Sequence, residues 1–123
     1  MIRNINITNT VATASSKAPA FSAYGSNMLL DTVSLISQGV GVYTASFGTT
    51  LITNSYIEGA DKLFYAYMTA YVYASTIFPT GSSASIGYLQ GYQIGGVWYN
   101  STLVVDSSSV QQKAGLTNSY VFL

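Results

Sequence analysis

The sequence predicts an all-β protein whose strands wind as a right-handed parallel β-helix, and three observations predict it. β-Branched and aromatic residues dominate the apolar half of the chain, while the straight-chain residues that favour helices are scarce. A short pattern returns about every 22 residues, the mark of a repeat architecture. Clusters of Gly and Ser fall between its returns and supply turn chemistry.

The recurring pattern is a small residue, then Ser or Thr, then a β-former, then usually an aliphatic. It opens at Asn9-Thr10-Val11, Asp31-Thr32-Val33, Asn54-Ser55-Tyr56, Ala74-Ser75-Thr76, Asn100-Ser101-Thr102 and Asn118-Ser119-Tyr120, in steps of 22, 23, 20, 26 and 18 residues. Such a step suits one coil built from two or three short strands joined by turns. The turns fall at Tyr24-Gly25-Ser26-Asn27, Gln38-Gly39-Val40-Gly41, Phe47-Gly48, Gly81-Ser82-Ser83 and Gly95-Gly96. Stacked coils align like residues, so Asn54, Asn100 and Asn118 are expected at equivalent corners. A β-sandwich of Ser-, Thr- and Tyr-rich strands is the rival architecture, but it gives no reason for register-matched repeats.

A coil satisfies its backbone only through its neighbours, so a stack needs a cap at each end. The pattern starts at residue 5 and still runs at Leu123, and neither end carries a polar cap or an amphipathic helix. The expectation is therefore one partial domain, residues 1–123, a β-helix fragment lacking end caps. Open ends and few charges predict self-association.

Composition narrows the chemistry. Only 7% of the residues are charged, against about 25% in an ordinary domain. Four acids balance four bases, so no basic field exists to hold nucleic acid. With neither Cys nor His, disulfides, thiol nucleophiles, Ser-His-Asp triads and nearly all zinc sites fall away. No metal or cofactor is expected. No apolar run approaches the ~18 residues of a membrane span, so no membrane partner is expected. The opening Met1-Ile2-Arg3-Asn4-Ile5-Asn6-Ile7 alternates at once and has no signal-peptide pattern.

One segment is more specific. Asn54-Ser55-Tyr56-Ile57-Glu58-Gly59-Ala60 resembles the central signature of the pectin methylesterase family, in its fungal form. Thr69-Ala70-Tyr71-Val72-Tyr73-Ala74-Ser75-Thr76-Ile77 looks like that family's next coil. Asn4-Ile5-Asn6-Ile7-Thr8-Asn9-Thr10 and Ala18-Pro19-Ala20-Phe21-Ser22-Ala23-Tyr24-Gly25 resemble the coils before it. Tyr120-Val121-Phe122-Leu123 resembles the strand leading into the family's Gly-Arg-Pro-Trp motif.

The resemblance implies a secreted protein acting on cell-wall pectin or another acidic polysaccharide, without metal or cofactor. It also implies ester hydrolysis by two carboxylates, one nucleophile and one acid–base, with Gln side chains stabilising the oxyanion and an Arg orienting the nucleophile. Carried over position by position, the family's Gln residues fall on Lys17 and Val40, and its acid–base Asp on Gly41. The nucleophile falls on Lys62 without a gap, or on Asp61 with a one-residue gap, and the Arg lies beyond Leu123. The sequence therefore predicts a chain that has lost esterase activity, with Asp61 the one candidate catalytic carboxylate. The alternatives are a non-catalytic β-helix that binds acidic polysaccharide and a structural or adhesive solenoid.

The candidate substrate-binding residues are Lys62, a cation able to pair with a uronate, and Tyr65, Tyr67 and Tyr71. With Tyr73, these tyrosines alternate along a strand and offer rings on which sugars stack. Asp61-Lys62 also reads as a solvated turn, and Glu58 as a cap for backbone amides beside Gly59. Asn6-Ile7-Thr8 and Asn100-Ser101-Thr102 match the glycosylation sequon, with an internal Asn stack as the competing reading.

Overall fold

The computed structural model describes residues 1–11, 19–23, 27–40, 42–82, 84–89 and 92–115. Those residues form an all-β structure of two parallel sheets and one hairpin, with no helix among them. In chain order the strands are β1 (Ile2–Arg3), β2 (Asn6–Asn9), β3 (Phe21–Ala23), β4 (Met28–Asp31), β5 (Ser34–Ser37), β6 (Val42–Thr53) and β7 (Tyr56–Gly59). They continue with β8 (Lys62–Tyr73), β9 (Thr76–Pro79), β10 (Ser85–Leu89), β11 (Tyr92–Ile94), β12 (Val97–Tyr99), β13 (Thr102–Asp106) and β14 (Ser109–Val110).

Within the two parallel sheets, no strand pairs with its neighbour in sequence; each pairs with one a repeat away. One sheet runs β1-β4-β6-β8-β10, with β3 also on β6 and β13 also on β8; the other runs β2-β5-β7-β9-β14. Every pairing in both is parallel. The long strands β6 and β8 serve two stretches of the first sheet, residues 42–45 and 49–53 of β6, separated by a register shift between Ala45 and Thr49. The antiparallel β11–β12 hairpin stands apart, turned by Gly95 and Gly96, whose φ of 54° and 83° suit a two-residue hairpin turn.

The alternation in the sequence sets which face is buried. Ile2, Leu30, Ile52, Val72 and Val105 lie opposite one another across the first sheet. Ile7, Leu35, Ile57, Ile77 and Val110 do so across the second. Leu30, Ile52, Val72, Leu35, Ile57 and Ile77 are wholly buried, joined by Val42, Leu63 and Phe64. Burying such a side chain stabilises by about 1.5–3 kcal/mol, so these aliphatic rows supply the main drive for stacking.

A two-residue link joins the sheets in every repeat: β1 to β2, β4 to β5, β6 to β7, β8 to β9 and β13 to β14. The first residue of each link has positive φ: Asn4 (56°), Thr32 (54°), Asn54 (50°), Ala74 (49°) and Ser107 (49°). Left-handed backbone costs ~1–2 kcal/mol for an ordinary L-residue, least for Asn, and Thr32 and Ala74 bear it in full. Stacking holds them there. Asn4 N donates to Asp31 O, Thr32 N to Thr53 O, Asn54 N to Tyr73 O and Ala74 N to Asp106 O, at 3.0–3.3 Å.

The second link residue builds a serine ladder. Ser55 Oγ accepts from Val33 N, Ser75 Oγ from Ser55 N and Ser108 Oγ from Ser75 N, at 3.0–3.1 Å. Each hydroxyl donates in turn to the carbonyl two residues back, on Thr53, Tyr73 and Asp106. Ser55 and Ser75 are buried, and this is how the interior accommodates them.

The corners correct the sequence alignment. Asn54 and Ala74 are corners, but the equivalent of Asp31 is its neighbour Thr32. Asn9 ends β2 opposite Ser37. Asn100 precedes β13, and Ser107 takes the corner there. The β11–β12 hairpin shifts that repeat out of step. Asn118 lies outside the described residues.

Candidate functional site

Asp61 and Lys62, the pair that the sequence singles out, sit where β7 turns into β8. Ala60 N and Asp61 N both donate to Gly39 O at 3.1 Å, and Ser85 N donates to Asp61 O at 2.9 Å, so the turn is fixed to both adjoining repeats. Lys62 Nζ lies 2.8 Å from Asp61 Oδ1, and both side chains are partly exposed. Of the other positions to which the resemblance assigns roles, Val40 is buried in the core. Gly41 and Lys17 lie outside the described residues.

The tyrosines divide. Tyr65 lies in the early stretch of β8, half-buried and opposite Tyr43 and Tyr88 in register. Tyr67 pairs with Ala45 through its backbone, and its side chain lies outside the described residues. Tyr71 lies in the later stretch, opposite Leu51 and Val104. Its close neighbour is Tyr73, two residues on and on the same face. The two rings are near-parallel, 21° apart, with centroids separated by 6.5 Å. That separation lies within the range of offset-stacked aromatic pairs, and the two exposed rings together form a platform. They are 36% and 44% exposed. The structure thus joins Tyr71 to Tyr73 and leaves Lys62, nine residues before Tyr71, at the other end of β8, with Asp61 in the turn before it.

The platform is held by residues from distant parts of the chain. Tyr71 Oη donates to Asp106 Oδ2, and Ser107 Oγ donates to Asp106 Oδ1. These bonds hold the Asp106 carboxyl below the usual carboxylate range. The same bond, with some burial, raises the Tyr71 phenol. In register, Asp106 lies beside Tyr73, then come Thr53, Asp31 and Arg3. Asp31 accepts from Thr53 Oγ1 at 2.7 Å, Asn54 Nδ2 at 2.9 Å and Arg3 Nε at 2.7 Å. The Asn54 and Thr53 bonds, and then Arg3, lower its pKa against the opposing effect of burial. Three strand spacings separate Asp31 from Asp106, ~14 Å, too far for the two carboxylates to work on one bond.

Across the corner row from Tyr73 lies a polar groove of about 500 Å³, lined by Asn6, Thr32, Ser34, Asn54, Tyr56 and Thr76 among others. Glu58 accepts from the Tyr56 hydroxyl at 2.7 Å. Burial, then that bond and the Glu58 charge, push the Tyr56 phenol up to about 12. Each of the four acids in the sequence therefore has a neighbour: Asp31 with Arg3, Thr53 and Asn54; Glu58 with Tyr56; Asp61 with Lys62; Asp106 with Tyr71 and Ser107. Among the described residues no three of His, Cys, Asp and Glu cluster as metal ligands.

Sequence reasoning reached Tyr71 but missed its partner Asp106 and the hydrogen-bonded Asp31 further along the same row. A signal was present: Asp31-Thr32-Val33-Ser34 and Asp106-Ser107-Ser108-Ser109 share Asp, hydroxyl residue, any residue, Ser. Comparison with protein families, with curated proteins and with solved structures finds no match for the chain.

Proposed function

We propose that the chain is part of a right-handed parallel β-helix of the pectin methylesterase kind, and that it binds pectin without hydrolysing it. The helix reading is supported by the repeat-to-repeat parallel pairing and by the five stacked left-handed corners. The binding reading is carried by one observation: an exposed near-parallel tyrosine pair ends at Tyr73, the residue before Ala74, which lines a groove of hydroxyl and amide side chains. Sugar rings present apolar faces to such a platform and hydroxyls to such a groove. Asp106 beside Tyr73 disfavours bare uronates and favours methyl-esterified, uncharged stretches of the polymer. The loss of chemistry is supported by the engagement of all four carboxylates and by Lys62 in the nucleophile slot.

The test is binding of the chain to highly methylated pectin and to polygalacturonate, alongside methanol release from the former. Expected are binding to methylated pectin that weakens in Tyr71→Ala and Tyr73→Ala, weaker binding to polygalacturonate, and no methanol release above background. Release that disappears in Asp61→Ala would overturn the non-catalytic reading and make Asp61 the nucleophile. Preference for polygalacturonate, weakened by Lys62→Ala, would move the binding surface to the start of β8.

A further inference from the structure

Two glycosylation sequons stand in the sequence, and the structure treats them differently. Asn6 and Thr8 lie within β2, where Asn6 is opposite Ser34 and Thr8 opposite Ile36, and Asn6 also lines the polar groove. The backbone of that triplet is held in a parallel ladder. Asn100 and Ser101 lie between β12 and β13, in no strand, and only Thr102 enters the ladder, opposite Thr69. Asn100 and Thr102 are both exposed. Just before them stands the β11–β12 hairpin, which joins neither parallel sheet and whose Val97, Trp98 and Tyr99 are 55%, 70% and 42% exposed. A free-standing two-stranded hairpin is marginal in water, and exposed apolar patches invite a covering group.

We propose that Asn100 is an acceptor for an N-linked glycan and that Asn6 is not. Asn100 Nδ2 attacks the anomeric carbon of a lipid-pyrophosphate-linked oligosaccharide. The bond from that carbon to the pyrophosphate oxygen breaks, an N–C bond forms, the amide nitrogen loses one proton, and the lipid pyrophosphate leaves. The triplet must bend to bring the Asn amide and the Thr hydroxyl to the transferase together, and with Asn100 and Ser101 outside any strand the bend disturbs only the terminal Thr102–Thr69 pairing, whereas at Asn6 it would break the ladder at every residue. The attached glycan then lies next to the exposed rings of Trp98 and Tyr99 and covers apolar surface there. Use of the site in the cell rests on the reading that the chain is secreted; acceptor competence does not.

The experiment supplies the compartment, so the two questions separate. The full chain is translated behind a cleavable signal sequence with endoplasmic-reticulum microsomes, and protease protection selects translocated molecules. Expected is a single endoglycosidase-sensitive mobility step, lost in Asn100→Gln and Thr102→Ala, kept in Thr102→Ser and kept in Asn6→Gln. A protected chain with no step, or a step that disappears in Asn6→Gln and survives Asn100→Gln, overturns the proposal. Two steps, one of them lost in Asn6→Gln, overturn the preference for Asn100.

Discussion

Replacing Ser75 by Ala tests whether the serine ladder holds the repeats together. Ser75 is buried, and its hydroxyl serves two partners: it accepts from Ser55 N at 3.1 Å and donates to Tyr73 O at 2.8 Å. Alanine fits the space but provides neither bond. The Ser55 amide is then a buried donor without an acceptor, at a cost of about 1–3 kcal/mol, and the lost donation to Tyr73 adds ~0.5–1.5 kcal/mol. The sum, ~2–4 kcal/mol, is a large share of the stability of a domain this small, ~5–15 kcal/mol. With a mid-range m-value of about 2 kcal/mol per molar urea, the midpoint falls by roughly 1–2 M. Urea unfolding followed by far-ultraviolet circular dichroism measures it, with exposed Thr69→Ala as the control expected to stay within ~0.5 kcal/mol. Ser75→Thr keeps the hydroxyl and should recover most of the loss. A Ser75→Ala midpoint equal to that of the control would show that the ladder contributes nothing to stability.

Gly81 packs against the neighbouring repeat so closely that an added Cβ would fall 1.8 Å from Ala60 O. Because that atom is backbone, Gly81→Ala should destabilise by ~1–3 kcal/mol through overpacking, while Gly95→Ala, with open space but positive φ, should cost less; thermal melts of the two rank them. Asp31 is more acidic in the folded chain than in the unfolded one, so its contribution is present above the unfolded pKa and lost as pH falls through the folded value. Acid unfolding should accordingly be less steep in Asp31→Asn, which an acid titration of the circular dichroism signal reads. Tyr56, pushed up to about 12, behaves oppositely. Its contribution is intact below ~10 and disappears as pH rises from there through about 12, and absorbance titration should lose one late-ionising phenol in Tyr56→Phe.

Much of the fold was legible because alternation and recurrence have direct physical meaning. Leu35, Ile57 and Ile77 recur in steps of 22 and 20 residues, and that recurrence goes with both their shared burial and their register. Asn9 and Asn100 were misplaced because a small residue before Ser or Thr suits a strand end as well as a left-handed corner. Only the backbone distinguishes the two, and the hairpin between β10 and β13 breaks the count. The site was less legible. Asp61-Lys62 drew notice as adjacent opposite charges, but such neighbours satisfy each other. The bond from Tyr71 to Asp106 spans 35 residues and becomes visible only when the strands are in register.

The corners also reveal what this chain conserves as its length varies. Successive corners, Asn4, Thr32, Asn54, Ala74 and Ser107, are 28, 22, 20 and 33 residues apart, yet each advances the structure by one strand spacing, ~4.8 Å. The fixed unit is strand, two-residue link, strand; the number of residues between one unit and the next varies. The molecule therefore works as a ruler graduated in ångströms rather than in residues. Peptides grafted in place of the hairpin residues between β10 and β13 would be displayed at a set height along the stack without disturbing its graduations.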